Sequence, residues 1–292
     1  MNTSAQSVPV FSLDEFAAMG SRYQEVGAIV VRGVLEAPYI RRFTDTLATL
    51  LRARLDSLGV STTTDNLDEL YNLLCGVSPK HVREIIMIAR DLPIFYECIA
   101  NPTVHRILSA LIPSCKIFQV VHDICLVRID PPDDETRSFD WHQDFPYNVM
   151  SESTVTVWAP LTAVTRNMGC LVVVPGSHRS IHPVDFWAAP PKNAAQFAGH
   201  KVFALHDVNA AELDAQSIEV PEMEAGDVLF LHSCVLHRSG KNQSERARWV
   251  CNPRFGDALD GPLVQRGWNV VRDKSPHVFS TVYPDLTHPQ SA

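Results

Sequence analysis

The chain has 292 residues, a formal net charge of −8 and hydrophobic residues at 46% of its positions. This length suits one large domain or two small ones, and the apolar content excludes intrinsic disorder for most of the chain. The excess of 33 acidic over 25 basic side chains gives no support for a nucleic-acid partner held by bulk charge.

The predicted elements change in character along the chain. The first part is mostly helical by its apolar spacing, with one buried strand at 27–33. The predicted helices are a short one after the capping box at 12–15, then 37–58, 66–74, 79–89 and 102–111. After Pro113, β-branched runs alternate with turn clusters, which predicts strands at 117–129, 154–161, 170–174, 228–231 and 247–251. A mainly β fold follows, a sandwich or barrel with flanking helices, and 188–199 is a surface loop or short helix.

The seven cysteines are scattered, and no CxxC pair occurs. This pattern argues against a disulfide framework or a zinc knuckle. The N-terminus lacks the basic and apolar regions of a secretion signal, and no apolar run is long enough to span a membrane. We therefore expect a cytoplasmic protein that has no membrane association.

The chain also has 12 histidines, and histidine is the commonest metal ligand. In the segment 139–145, FDWHQDF, His142 and Asp144 are two residues apart and would point to the same face of an extended strand. One strand could then give a metal both an imidazole and a carboxylate. The alternative for so short a motif is a surface strand with a solvated aspartate.

A third ligand is predicted further along, after the strand at 228–231. His237 is the first choice, and His232 is the alternative on the same predicted strand. Two histidines and one carboxylate with open coordination positions form the facial triad of non-haem Fe(II) oxygenases.

Arg248 follows His237 inside an apolar run. If 2-oxoglutarate chelates the iron, its far carboxylate needs a partner, and arginine binds carboxylates with two parallel hydrogen bonds. Without that anion a buried Arg248 would be costly. Arg246 is the alternative clamp residue, because it lies two residues away on the same predicted face. The non-functional alternative is that Arg248 is an exposed arginine on the protein surface.

From about residue 117 to 255 the sequence resembles the phytanoyl-CoA dioxygenase-like family of Fe(II)/2-oxoglutarate oxygenases. The resemblance lies in an ordered set of short motifs: WHQD at 141–144, Trp158 with Leu161, NMGCL at 167–171, PGSH at 175–178, Gly226-Asp227, and HRSGKN at 237–242 followed by Arg248. The family form of the third motif, NGCL, differs here by the additional Met168.

The resemblance implies a double-stranded β-helix, or jelly-roll, core. It implies iron ligands at His142, Asp144 and His237, and a clamp of Arg248 and Ser239 on the distal carboxylate of 2-oxoglutarate. Trp158 would line the same pocket, and Arg128 lies near the position where relatives such as ectoine hydroxylase carry a lysine. Because Asp144 is present, halogenation is disfavoured. We therefore predict one oxygenase domain over 1–292, with a mostly helical shell at 1–112, a jelly-roll core at 113–256 and a C-terminal extension at 257–292.

The predicted function is an Fe(II)/2-oxoglutarate-dependent dioxygenase that uses O₂ to hydroxylate an unactivated carbon of a small molecule, with release of succinate and CO₂. The alternatives are desaturation, epoxidation or ring closure with the same cofactors, and a non-catalytic metal-binding jelly-roll module. The substrate would lie near residues that follow the HxD motif or face the pocket, for which the candidates are Gln119, Phe145, Tyr147 and Asn148. The acidic charge does not favour an acyl-CoA substrate, and the sequence carries no signal for the oligomeric state.

Overall fold

The computed structural model describes residues 7–121, 125–132, 140–187, 203–267 and 277–290. Nine α-helices lie within these ranges: α1 Phe16–Val26, α2 Ala37–Ser57, α3 Leu67–Val77, α4 Pro79–Ala89, α5 Pro93–Ile99, α6 Pro102–Leu111, α7 Ala210–Gln216, α8 Gly261–Gln265 and α9 His277–Val282. Among the described helices, none combines the length and the apolar content needed to cross a membrane.

The N-terminal helices begin where the sequence offers a cap. Asn66 and Asn101 each accept hydrogen bonds from two backbone N–H groups at the starts of α3 and α6, and Ser78 accepts one at the start of α4. The predicted bounds of α4 and α6 are confirmed, and α2 differs by one residue at its end. Helix α5 was not predicted, because seven residues are too few to show a helical period.

The strands within the described ranges are β1 Val10–Phe11, β2 Ala28–Val31, β3 Phe118–Val120, β4 Leu126–Asp130, β5 Val155–Pro160, β6 Leu171–Val173, β7 Val184–Phe186, β8 Phe203–Leu205, β9 Ile218–Glu219, β10 Val228–His232, β11 His237–Ser239, β12 Arg248–Asn252, β13 Arg254–Asp257 and β14 Thr287–Pro289. They form a main sheet in the order β1-β2-β10-β5-β12-β4, in which β13 pairs with β3 and β5. A second sheet has the order β11-β6-β9, and a third has the order β14-β7-β8. The loop predicted at 188–199 lies outside the described residues.

The main sheet has two different faces. On β5, Val155 and Val157 belong to the largest apolar cluster, which also contains residues of α2 to α6. Trp158 belongs to a second cluster, together with residues of β6 and β10. Because side chains alternate along a strand, the helices cover one face and the second sheet covers the other. We call the face toward the second sheet the inner face.

This arrangement confirms the predicted fold class, a jelly-roll core with helices in the N-terminal part. The N-terminal part contributes more than helices, because β2 pairs with β10 over four residues and so extends the main sheet. At the other end, β14 pairs in parallel with β7. The division into one domain with three parts stays a prediction.

Candidate metal centre

The HxD motif does not lie on a regular strand, which corrects the prediction. Only His142 is extended: its backbone exchanges two 3.0 Å hydrogen bonds with that of His237 on β11. Asp144 has φ −68° and ψ −27°, and from it the chain turns into a short 3₁₀ helix, Phe145–Tyr147. The three side chains nevertheless converge, since one potential ligand atom of each lies within 4.8 Å of the others.

The distances in this cluster suit a shared metal ion. Oδ1 of Asp144 lies 3.6 Å from Nε2 of His142 and 3.9 Å from Nε2 of His237. The two imidazole rings lie 4.2 Å apart between centroids at an angle of 46°. Two imidazole nitrogens and one carboxylate oxygen are the donor set of the facial triad.

Backbone carbonyls fix the tautomers of both histidines. Nδ1 of His142 lies 2.7 Å from the carbonyl oxygen of Asp140, and Nδ1 of His237 lies 3.0 Å from that of Val235. A carbonyl oxygen only accepts, so each Nδ1 must carry the proton and donate it. Each Nε2 then presents a lone pair toward Asp144, as metal-ligating histidines usually do.

The protonation states also suit a metal. Burial, together with the repulsion that His142 would exert if both imidazoles were protonated, lowers the pKa of His237 to about 4, so this imidazole is neutral at pH 7. Burial alone would raise the pKa of Asp144, but the Arg254 guanidinium and the two histidines hold it well below its ordinary value. The carboxylate is therefore ionised and able to bind a cation.

His232, the alternative third ligand, lies elsewhere. It ends β10 in the main sheet, whereas His237 begins β11 in the second sheet, so the two do not share a strand as expected. Nδ1 of His232 accepts from the backbone N–H of Cys234 at 3.1 Å, and its ring lies 5.0 Å from that of His178. These contacts place it in a buried polar cluster outside the metal group.

Arg248 is buried on the inner face, with 2% of its surface exposed. Its Nε and Nη2 donate to Oδ2 of Asp130 at 3.1 and 2.9 Å, and its Nη1 donates to the carbonyl oxygens of Met168 and Gly169. A buried Arg248 was expected to be costly without 2-oxoglutarate, but Asp130 on β4 already supplies an anion. The alternative Arg246 is exposed and pairs with Asp68.

The other residues assigned to co-substrate binding lie close to Arg248 or on strands next to it. The guanidinium carbon of Arg248 lies 5.9 Å from the ring centroid of Trp158. On β4, the strand paired with β12, Arg128 donates to both oxygens of Asp130 at 2.8 Å. Ser239 is buried on β11, two residues after His237.

On each of two strands, β5 and β11, a residue at the metal cluster is followed two positions later by a residue predicted to contact the co-substrate. On β5, Thr156 donates to Asp144 at 3.1 Å and Trp158 lies beside Arg248. On β11, His237 faces the metal position and Ser239 is two residues further along. Two residues of a strand span about 7 Å. Trp158 and Ser239 therefore lie about 7 Å along their strands from Thr156 and His237, which belong to or contact the metal cluster.

The four residues predicted to contact substrate lie in different surroundings. Gln119 on β3 pairs with Gly256 on β13, which places it on the same face as Arg254. Tyr147 donates to the carbonyl oxygen of Phe203 at 3.2 Å, and Asn148 is buried with no partner for its Oδ1 among the described residues. Phe145 is fully buried.

Phe145 packs against other aromatic rings. Its ring centroid lies 6.1 Å from that of Phe279 and 5.5 Å from that of Tyr283, both with edge-to-face geometry. These rings belong to a third apolar cluster around α9 and the third sheet. The side chain therefore packs the loop that carries Asp144 against this cluster.

Asp130, Thr156 and Arg254 were not among the predicted site residues. All three lie on strands of the main sheet, and each contacts a predicted site residue. The available signal was alternation: Thr156 and Trp158 share a face of β5, and Asp130 shares a face of β4 with Arg128.

Comparisons with known proteins agree with this geometry. The family model described as phytanoyl-CoA dioxygenase (PhyH) matches residues 23–250. The peroxisomal phytanoyl-CoA dioxygenase of Bos taurus is 26% identical over 242 residues, which cover 81% of this chain and 67% of that protein. The 1-deoxypentalenic acid 11-beta-hydroxylase of Streptomyces arenae is 29% identical over 240 residues, or 80% of this chain and 77% of that protein.

Among solved structures, the epimerase SnoN, in a complex with Fe³⁺, alpha-ketoglutarate and nogalamycin RO, has a similar fold. The TM-score is 0.54 at 19% identity, and the match covers 85% of this chain and 84% of that one. The family match, the jelly-roll core and the His-Asp-His cluster lead to one conclusion. The chain belongs to the phytanoyl-CoA dioxygenase family and is an Fe(II)/2-oxoglutarate-dependent dioxygenase that acts on a small molecule.

Proposed function

We propose that this enzyme hydroxylates an unactivated carbon of its substrate, coupled to the conversion of 2-oxoglutarate and O₂ into succinate and CO₂. In this proposal His142, Asp144 and His237 hold the iron. The observation that carries the proposal is the convergence of the two Nε2 atoms and Oδ1 of Asp144, with the two Nδ1 atoms bound to backbone carbonyls.

When bound, the iron supplies the activation of O₂, and the protein supplies orientation and a dry cavity. Arg248 and Ser239 together bind the distal carboxylate of 2-oxoglutarate, about 7 Å along the strands from the metal cluster, a distance that suits a five-carbon diacid. Trp158 gives this pocket an apolar wall. Arg128 and Arg248 both pair with Asp130, so these three side chains together carry one net positive charge. The burial of Arg248, Ser239 and Trp158 strengthens their interaction with the co-substrate.

For the substrate, we propose a small uncharged or weakly charged molecule bound near the HxD turn. The buried Oδ1 of Asn148 is an acceptor without a partner among the described residues, and such an atom is costly unless a ligand or water donates to it. Tyr147 and Gln119 remain candidate contacts. The relatives are named for both kinds of substrate, an acyl-CoA for the Bos taurus enzyme and 1-deoxypentalenic acid for the Streptomyces arenae hydroxylase, and the acidic net charge of this chain favours the second kind. A cytoplasmic location stays a prediction.

The test is release of succinate from 2-oxoglutarate by the purified enzyme, with Fe(II), O₂ and a panel of candidate small molecules. We expect release to depend on both Fe(II) and 2-oxoglutarate and to increase when an accepted substrate is added. Under anaerobic conditions, Fe(II) with 2-oxoglutarate should give the weak visible charge-transfer band of a chelated keto acid. A folded, iron-loaded enzyme without that band would refute the proposal.

Mass analysis of the product separates hydroxylation from the alternatives. A gain of one oxygen atom supports hydroxylation, a loss of two hydrogens supports desaturation or ring closure, and an unchanged mass with altered stereochemistry supports epimerisation. Epoxidation also adds one oxygen, and NMR of the product then distinguishes the two.

A further inference from the structure

The two carboxylate oxygens of Asp144 have different partners. Oδ1 faces Nε2 of His142 and of His237, at 3.6 and 3.9 Å. Oδ2 accepts from Oγ1 of Thr156 at 3.1 Å and from Nη2 and Nε of Arg254 at 3.2 and 3.4 Å. One oxygen is therefore directed to the metal position, and the other is bound to the protein.

The donors to Oδ2 come from two paired strands of the main sheet. Arg254 on β13 and Thr156 on β5 are directly opposite each other in the main sheet, so both project from the inner face at the same level. Thr156 is 2% exposed, and the side chain of Arg254 is 11% exposed. Asp144, in contrast, belongs to a turn. The sheet therefore holds a carboxylate that its own backbone would leave free to rotate.

Rotation of this carboxylate would matter for the reaction. A carboxylate can give a metal one oxygen or two, and a second Asp144 oxygen would take a position that the keto acid or O₂ needs. We propose that Arg254, supported by Thr156, is a positioning residue that limits Asp144 to a single metal bond and keeps that position open. This inference rests on the proposed function of the site.

Charge adds a second consequence. Arg254 offsets the negative charge of Asp144, so a bound divalent metal leaves the metal centre with two net positive charges, which attract the keto-acid end of the 2-oxoglutarate dianion. Loss of Arg254 makes the site more attractive to the metal and less attractive to the dianion. A residue that only stabilised the fold would not separate these two affinities.

The experiment compares wild type with Arg254→Gln, Arg254→Lys and Thr156→Val. The control is Arg32→Gln, because Arg32 also pairs with a buried aspartate, Asp227, but at the opposite end of β10 from the metal centre. Fe(II) affinity is measured anaerobically by competition with a chromophoric chelator. The affinity for 2-oxoglutarate is then measured on the Fe(II)-loaded protein by titration of the visible band.

We expect Arg254→Gln to bind Fe(II) at least as tightly as wild type and to bind 2-oxoglutarate about 10- to 100-fold more weakly. Arg254→Lys keeps the charge and should recover part of this affinity. Thr156→Val removes one donor without changing charge, so its loss should be smaller. Arg32→Gln should match wild type in both titrations.

The inference is overturned if Arg254→Gln keeps wild-type affinity for 2-oxoglutarate. It is also overturned if Fe(II) affinity and the unfolding temperature fall together while the affinity for 2-oxoglutarate does not. If Arg254→Gln fails to fold, the same criteria apply to Arg254→Lys and Thr156→Val. A wild-type enzyme that binds Fe(II) but gives no band with 2-oxoglutarate would instead refute the proposed function.

Discussion

Replacing Asp130 by Asn removes the negative charge that lies between two arginines on the inner face. Oδ2 of Asp130 accepts from Nε and Nη2 of Arg248 at 3.1 and 2.9 Å and from Nε of Arg128 at 2.8 Å. Asp130 is 5% exposed and Arg248 is 2% exposed, so solvent cannot replace the lost anion. The Asn side chain keeps the shape and one acceptor oxygen.

The size of the effect follows from this burial. Removing one partner of a buried ion pair costs about 3–5 kcal/mol, and the retained acceptor favours the lower end, about 3 kcal/mol. Each kcal/mol lowers the midpoint of thermal unfolding by about 2–3 °C for a chain of this size. We therefore expect Asp130→Asn to unfold roughly 6–9 °C below wild type in the absence of ligands.

The assay is thermal unfolding with and without saturating 2-oxoglutarate, in the presence of Mn²⁺ as a redox-stable metal. If the distal carboxylate of 2-oxoglutarate binds Arg248, it supplies the missing anion, so the ligand should raise the midpoint more in Asp130→Asn than in wild type. Asp227→Asn is the matched control, because Asp227 is buried and paired with Arg32 outside the site. It should lose stability, and 2-oxoglutarate should not restore it.

Two results would refute this reasoning. An equal ligand-induced shift in wild type and Asp130→Asn would mean that the distal carboxylate does not reach Arg248. A variant as stable as wild type without ligand would mean that the ion pair between Asp130 and Arg248 contributes little to folding.

Four further substitutions test the site and its surroundings. Asp144→Ala should abolish succinate release and sharply weaken Fe(II) binding, and undiminished turnover would contradict the ligand assignment. Arg248→Lys should raise the KM for 2-oxoglutarate about 10-fold or more, because a lysine cannot keep the contacts of Arg248 with Asp130 and the backbone carbonyls and also bind the distal carboxylate, whereas Arg246→Lys should leave it unchanged. Burial and the charge of His178 lower the pKa of His232 from 6.5 to about 3, so below pH 6.5 the unfolded chain binds a proton that the folded one excludes. In urea unfolding, the free energy of unfolding of wild type should therefore fall by about 2 kcal/mol more between pH 7 and 5 than that of His232→Gln. Equal losses in the two proteins would contradict the assignment.

Much of the candidate site follows from the sequence because its signals are local. A motif of three residues identifies His142 and Asp144, and the run around Arg248 identifies a charged residue inside an apolar strand. Helix starts are equally local, since Asn66, Ser78 and Asn101 each bond to N–H groups within three residues. The order of these motifs along the chain then indicates the family and the jelly-roll fold.

The tertiary structure decided which residues support this site, because sheet pairing joins residues that are far apart in the sequence. Asp130 meets Arg248, and Arg254 meets Asp144, only because β4 and β13 pair with β12 and β5. The choice of Arg248 over Arg246 likewise depends on where β12 begins, since only the strand residue turns into the interior. Residue type and spacing determined the chemistry available to this protein, and long-range strand pairing decided which charges face each other within it.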